Sequence, residues 1–198
     1  MGTKFSTRVW VSVVGIASIF FGSKGYADTV ISVADFGLKP DTRENAVAYV
    51  QKAIEACRGK EPVTLVFPEG RYDFWPQYAH EKNYYETNTY DVFPKRLAML
   101  FEGLHNITVD GNGSQFVMHD RIQPITVENC DGVTLKNFSI DWDIPLTAQA
   151  RVTKVGSDFF EIEINVLESP YIIEDGKLVF VGEGWKSALG SMIEFESD

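Results

Sequence analysis

Two carboxylates stand two residues apart at Asp141 and Asp143, with Trp142 between them, in the run Phe138-Ser139-Ile140-Asp141-Trp142-Asp143 that reads as a strand end. Alternate side chains of a strand point the same way, so the two acids share a face with Cα atoms roughly 6.5–7 Å apart. Two carboxyl groups held this far apart can divide acid–base work, one protonating a leaving group while the other attacks or activates water. Asp141 and Asp143 are therefore candidate catalytic residues. The plainer reading is that both are solvated corner acids and that Trp142 is the buried group.

A second concentration of chemistry lies between Trp75 and Arg96, where no periodicity is visible. Trp75, Tyr78, Tyr84, Tyr85, Tyr90 and Phe93 are interleaved with Glu81, Glu86, Asn88 and Asp91. Flat apolar rings stack on pyranose faces while carboxylates and amides fix hydroxyls, so these are the materials of a sugar site. Trp75, Tyr84 and Tyr85 are the candidate substrate-binding residues. Packing of the rings onto the rest of the domain is the equal alternative, since a loop of this length needs a core of its own.

Other chemistries find less support. His80, His105 and His119 are scattered, and no His, Cys or Asp grouping has metal-ligand spacing, so neither a metal nor another cofactor is expected. Cys57 and Cys130 fall in a predicted helix and a predicted corner and read as two buried free thiols. Asp110-Gly111-Asn112-Gly113 is explained as a turn without invoking a phosphate or calcium loop.

The N-terminus has the order of a secretory signal: Lys4 and Arg8, the apolar run Val9 to Gly22, then Gly25-Tyr26-Ala27 as a cleavage site. The run is short for a bilayer span of about 20 residues. Cleavage after Ala27 removes Lys4, Arg8 and Lys24 and no acid, taking the formal net charge from −10 to −13. Such a surface repels nucleic acid, and no membrane association is expected after cleavage. The expected location is periplasmic or extracellular.

The elements that must position these residues are legible through a repeat. Shifted by 26 residues, Met99 falls on Ile125, Phe101 on Val127, Ile107 on Val133, Thr108 on Thr134 and Val109 on Leu135. Period-2 alternation inside each copy predicts short strands, and Asp110 to Gly113 and Glu128 to Gly132 predict the corners between them. Stacked coils of a parallel β-helix write themselves this way; a β-sandwich with evenly spaced strands is the alternative. Upstream, Asp41 as N-cap with Glu44 predicts a helix from about Thr42 to Arg58, with Val47, Val50, Ile54 and Cys57 as its apolar stripe. Downstream, Ala150 to Val155 and Phe159 to Val166 alternate around Gly156-Ser157-Asp158, and Glu174 to Lys177 makes another turn, which predicts antiparallel hairpins.

Asp35-Phe36-Gly37, Asp41-Thr42, Asn45-Ala46, Gln51-Lys52-Ala53-Ile54 and Val66-Phe67-Pro68-Glu69-Gly70-Arg71-Tyr72 together resemble the entry to the pectate-lyase-like right-handed β-helices, in which a helix plugs the first coil. Tyr84-Tyr85-Glu86-Thr87-Asn88 followed by Pro94-Lys95-Arg96-Leu97-Ala98, with Phe138 to Asp143, narrows the resemblance to glycoside hydrolase family 110, the exo-acting α-1,3-galactosidases. The resemblance implies an all-β fold: a right-handed parallel β-helix with an N-terminal capping helix over residues 28–146, then an incomplete antiparallel β-barrel-like module over 147–198, after a signal peptide at 1–27. It implies release of terminal α-1,3-linked galactose from glycans by an inverting two-carboxylate mechanism. The family's catalytic aspartates lie on coils beyond Asp198, so this chain is expected to be inactive alone. The alternatives are a polysaccharide lyase on the same scaffold, disfavoured for an acidic glycan by the negative charge, and a non-catalytic carbohydrate-binding solenoid.

Overall fold

The computed structural model describes residues 29–84, 94–190 and 192–195. The signal sequence expected at 1–27 lies outside the described residues, as does Tyr85.

The core is a stack of parallel strands in columns. Strands β1 (Thr29–Ser32), β2 (Val63–Val66), β3 (Arg71–Phe74), β4 (His80–Lys82), β5 (Lys95–Glu102), β6 (His105–Met118), β7 (Gln123–Glu128) and β8 (Asp131–Trp142) build it, and α1 (Val47–Cys57) is inserted between β1 and β2. In the first column β1, β2, the front half of β6 and the front half of β8 pair in parallel, with Ile31, Leu65, Val109 and Leu135 in register. In the second, β3, the back half of β6 and the back half of β8 stack Tyr72, Phe116 and Ile140. In the third, β5 and β7 pair in parallel with Met99 on Ile125 and Phe101 on Val127, and β4 joins antiparallel to β5.

The 26-residue repeat is thus real, on two columns. Past the corner it becomes 24: Phe116 lies on Ile140 and Met118 on Trp142. The first copy spends two more residues turning, at Asp110-Gly111-Asn112-Gly113, where Asn112 and Gly113 take φ of 51° and 83°. Gly111 is required by a close approach, since a Cβ there would lie 2.5 Å from Phe138 Cβ and 2.7 Å from the Asn137 carbonyl oxygen. Asp110 ties the two corners together, accepting from Asn137 Nδ2 at 3.0 Å and pairing with Lys136 at 3.2 Å.

The interior is aromatic. Phe67, Tyr72, Phe74 and Phe116 are at most 1% exposed. Phe116 stacks on Phe138 of the next coil with centroids 4.7 Å apart. Helix α1 buries Val47, Val50, Ala53, Ile54 and Cys57 against β1, β2 and β5, as the apolar stripe requires. The helix begins later than the sequence predicts. Asp41 adopts φ 60° and its Oδ1 accepts from the Arg71 amide at 2.9 Å, so a tertiary bond takes the side chain assigned to the N-cap. Asn45 Oδ1 instead accepts from the Val47 amide at 3.1 Å. Both cysteines are free, Cys57 buried and Cys130 half-buried. Burial pushes the Cys57 thiol up to about 11.

After Asp143 the pairing turns antiparallel, as the hairpin turns predict. Strand β9 (Ala150–Val155) pairs with β10 (Phe160–Ile164), and β11 (Tyr171–Glu174), β12 (Lys177–Gly182) and β13 (Trp185–Ala188) form a three-stranded meander. Apart from α1 and a short 3-10 turn at Val33–Phe36, the described residues are all-β. No helix among them is long and apolar enough to cross a membrane.

Candidate functional site

The alternation that sends Tyr72, Phe74, Phe116 and Met118 inward sends Arg71, Asp73 and Val117 to the outer face of the second column. Parallel stacking then lines up polar residues from strands far apart in sequence. Asp73 is the centre: its side chain is 0% exposed, and Asn45, in the segment before α1, forms an isolated parallel bridge to this position. Arg71 Nη2 donates to Asp73 Oδ1 at 2.6 Å and to Asp143 Oδ1 at 2.7 Å. Arg43 places Nη1 3.5 Å from both carboxylates. His119, with a side chain 3% exposed, sets Nε2 2.8 Å from Asp73 Oδ1 and Nδ1 2.8 Å from Glu183 Oε2. Trp75 lies flat on the imidazole, centroids 3.8 Å apart and planes at 9°.

The electrostatics follow from this packing. Burial pushes the Asp73 carboxyl up, but hydrogen bonds from Arg71 and His119 and the charges of Arg71 and Arg43 outweigh it and hold the group below its ordinary value. The Arg71 hydrogen bond holds the Asp143 carboxyl low against its partial burial, helped by His119 and Arg43. Arg71 itself is raised, chiefly by its bond to Asp73. Asp143 is therefore a fixed anion, suited to accepting hydrogen bonds or a proton rather than to donating one.

Asp141 and Asp143 leave the same strand end for different partners. Asp141 is exposed, and its Oδ1 accepts from the Trp142 amide at 2.8 Å, while Asp143 turns to Arg71. Trp142 is the group that packs against the core, with Nε1 donating to the Asp120 carbonyl at 3.2 Å. Trp75 is anchored through Asn45, whose Oδ1 accepts from the Trp75 amide at 3.3 Å. Tyr84 is elsewhere: its hydroxyl bonds the Glu128 carboxylate, beside Lys82, which bridges Glu102 and Glu128 at 2.7 and 2.8 Å. Trp75 and Tyr84 thus sit on different columns. Tyr85 lies outside the described residues.

Sequence reasoning missed Arg43, Arg71, Asp73, His119 and Glu183 as a group. A faint signal was present in Arg71-Tyr72-Asp73, where opposite charges two apart on one strand face flank an inward tyrosine. Among the described residues the grouping with metal-ligand atoms within 4.8 Å of one another is His119, Asp143 and Glu183. The Arg71 guanidinium already occupies Asp143, so the arrangement is an ion-pair network.

Comparison with known proteins places the chain. It is 60% identical over 172 residues to alpha-1,3-galactosidase B of Bacteroides thetaiotaomicron, covering 87% of this chain and 28% of that protein. The chain is homologous to the α-1,3-galactosidases. It is also 36% identical over 169 residues to alpha-1,3-galactosidase A of Shewanella woodyi, covering 84% of this chain and 28% of that protein. Identity to alpha-1,3-galactosidase B of Akkermansia muciniphila is 30% over 173 residues, covering 87% of this chain and 22% of that protein. Residues 148–198 match the family GLAA-B beta-barrel domain I. The chain therefore spans under a third of the length of these relatives and corresponds to a portion of them, and the antiparallel strands β9 to β13 fall within the matched barrel.

Proposed function

We propose that this chain is the N-terminal portion of an exported glycoside hydrolase that releases terminal α-1,3-linked galactose from glycans. The observation that carries the reading is the 60% identity, sustained over 87% of the chain, to a protein named alpha-1,3-galactosidase B. In this reading the stacked columns are the opening coils of a right-handed parallel β-helix, α1 is its cap, and the mechanism is inverting, with two carboxylates about 6.5–9.5 Å apart. The acid/base pair lies outside these residues. The ion-paired state of Asp143 argues against it as the general acid, which needs a carboxyl raised rather than lowered. Export rests on the basic start, apolar run and Gly25-Tyr26-Ala27 site.

The test is galactose release from an α-1,3-galactosyl disaccharide, by the complete enzyme and by the 198-residue chain. Release by the first with inversion, and none by the second, is the expected result. Turnover by the 198-residue chain that disappears in Asp141→Asn or Asp143→Asn would instead make those two residues the catalytic pair. For export, N-terminal sequencing of the protein from the periplasm or medium should begin at Asp28, and a retained Met1 would overturn that part.

A further inference from the structure

His119 has a carboxylate on each side, and the two carboxylates belong to different parts of the fold. Asp73, on β3, faces Nε2 at 2.8 Å, and Glu183, in the turn between β12 and β13, faces Nδ1 at 2.8 and 2.9 Å. A ring nitrogen facing a carboxylate oxygen at that distance must donate, and an imidazole donates from both nitrogens only when both carry hydrogen. The charges around it agree. Asp73, Asp143 and Glu183 contribute three negative charges, and Arg71 and Arg43 two positive ones, so one further positive charge neutralises the group. The neighbouring Asp120 and Arg121 cancel in this count.

We propose that His119 is a proton-dependent clasp: its imidazolium fastens the antiparallel module, through Glu183, to the stacked coils, through Asp73, and loss of the second proton releases the module's docking turn. The turn is shaped for this seat. Gly184, at φ 82°, lies so close that a Cβ would come within 2.6 Å of Asp120 Oδ2, and Trp185 holds Arg121 5.8 Å from its ring centre. Trp75 stacked on the ring fixes its plane, so both nitrogens stay aimed along the line joining the two acids. Without the second proton, one nitrogen presents a lone pair to a carboxylate oxygen at 2.8 Å, and the buried Asp73 keeps its bonds to Arg71 while the more exposed Glu183 lets go.

The experiment uses imidazole nitrogen NMR and amide hydrogen exchange on the 198-residue chain. At the acid end of a pH series the His119 signals should show hydrogen on both nitrogens. As the second proton leaves, protection of residues 182–186 should fall about tenfold or more, corrected for intrinsic exchange, while amides of β6 stay unchanged. His119→Gln, whose donors sit on one nitrogen and cannot face acids on opposite sides, should show the weakened protection at every pH, and Glu183→Gln should remove its pH dependence. A single protonated nitrogen throughout the series, or protection of 182–186 that does not change in His119→Gln, overturns the proposal.

Discussion

Arg71 and Asp143 are 72 positions apart, yet Arg71 Nη2 donates to Asp143 Oδ1 at 2.7 Å, reaching from β3 past the intervening strand β6 to the end of β8. The same guanidinium bonds the fully buried Asp73, so one side chain neutralises an inner and an outer carboxylate at once. The outer face of this column is therefore held by charge, and its inner face by aromatic packing.

Removing the inner carboxylate should be the more costly change. Asp73→Ala leaves Arg71 and His119 without their buried partner, and breaking a buried pair from one side costs about 3–5 kcal/mol. Arg43→Ala removes a 59% exposed partner at 3.5 Å and should cost under about 1 kcal/mol. Urea unfolding midpoints measure both, and comparable losses would contradict the burial argument.

Acid should loosen the same network. Asp73 and Asp143 are held below their ordinary values, so the stability they add is present above about pH 4, the unfolded-state value, and is lost as pH falls through their folded-state values. Thermal unfolding followed from pH 7 to pH 2.5 should show this decline, with a shallower slope in Asp143→Asn. An unchanged slope in that variant would mean that Asp143 contributes nothing to it.

The last coil should be energetically soft. Ile107 is 0% exposed under β8, whereas Leu135, on β8 itself, is 39% exposed. Ile107→Ala should therefore cost about 2–5 kcal/mol and Leu135→Ala about 1 kcal/mol or less in the 198-residue chain. In the complete enzyme proposed above, the cost of Leu135→Ala should rise toward that of Ile107→Ala if a further coil stacks on β8. Equal costs in the two lengths would refute that stacking.

The two described aromatic candidates should separate by function. Trp75→Ala removes the plate beneath His119 and should lower stability, whereas Tyr84→Ala removes one hydroxyl from a surface cluster that Lys82 already neutralises. If Tyr84 contacts glycan, Tyr84→Ala in the complete enzyme should weaken galactoside binding by more than its thermal unfolding shifts. A stability loss with unchanged binding would leave Tyr84 as a packing residue.

The alternation and repeat carried much of the fold. Ile107 on Val133 and Met99 on Ile125 are readable because a strand's period and a coil's length are local properties, written in residue type and turn chemistry. The apolar stripe of α1 and the hairpin turns of β9 to β13 are local in the same sense. The change of offset from 26 to 24 at Asp110 was not readable, because the extra residues are absorbed by a corner whose shape depends on Phe138 pressing against Gly111. Nor was the charged network. Arg43, Arg71 and Asp73, His119, Asp143 and Glu183 come from five places in the chain, and nothing local distinguishes His119 from His80 or His105. Only the stacking of β3, β6 and β8, with Asn45 on one side and the turn bearing Glu183 on the other, removes water from Asp73 and brings its partners within bonding distance. Sequence alone settled which residues alternate inward and outward; burial, and with it the strength of these charges on one another, was decided by what tertiary structure laid over them.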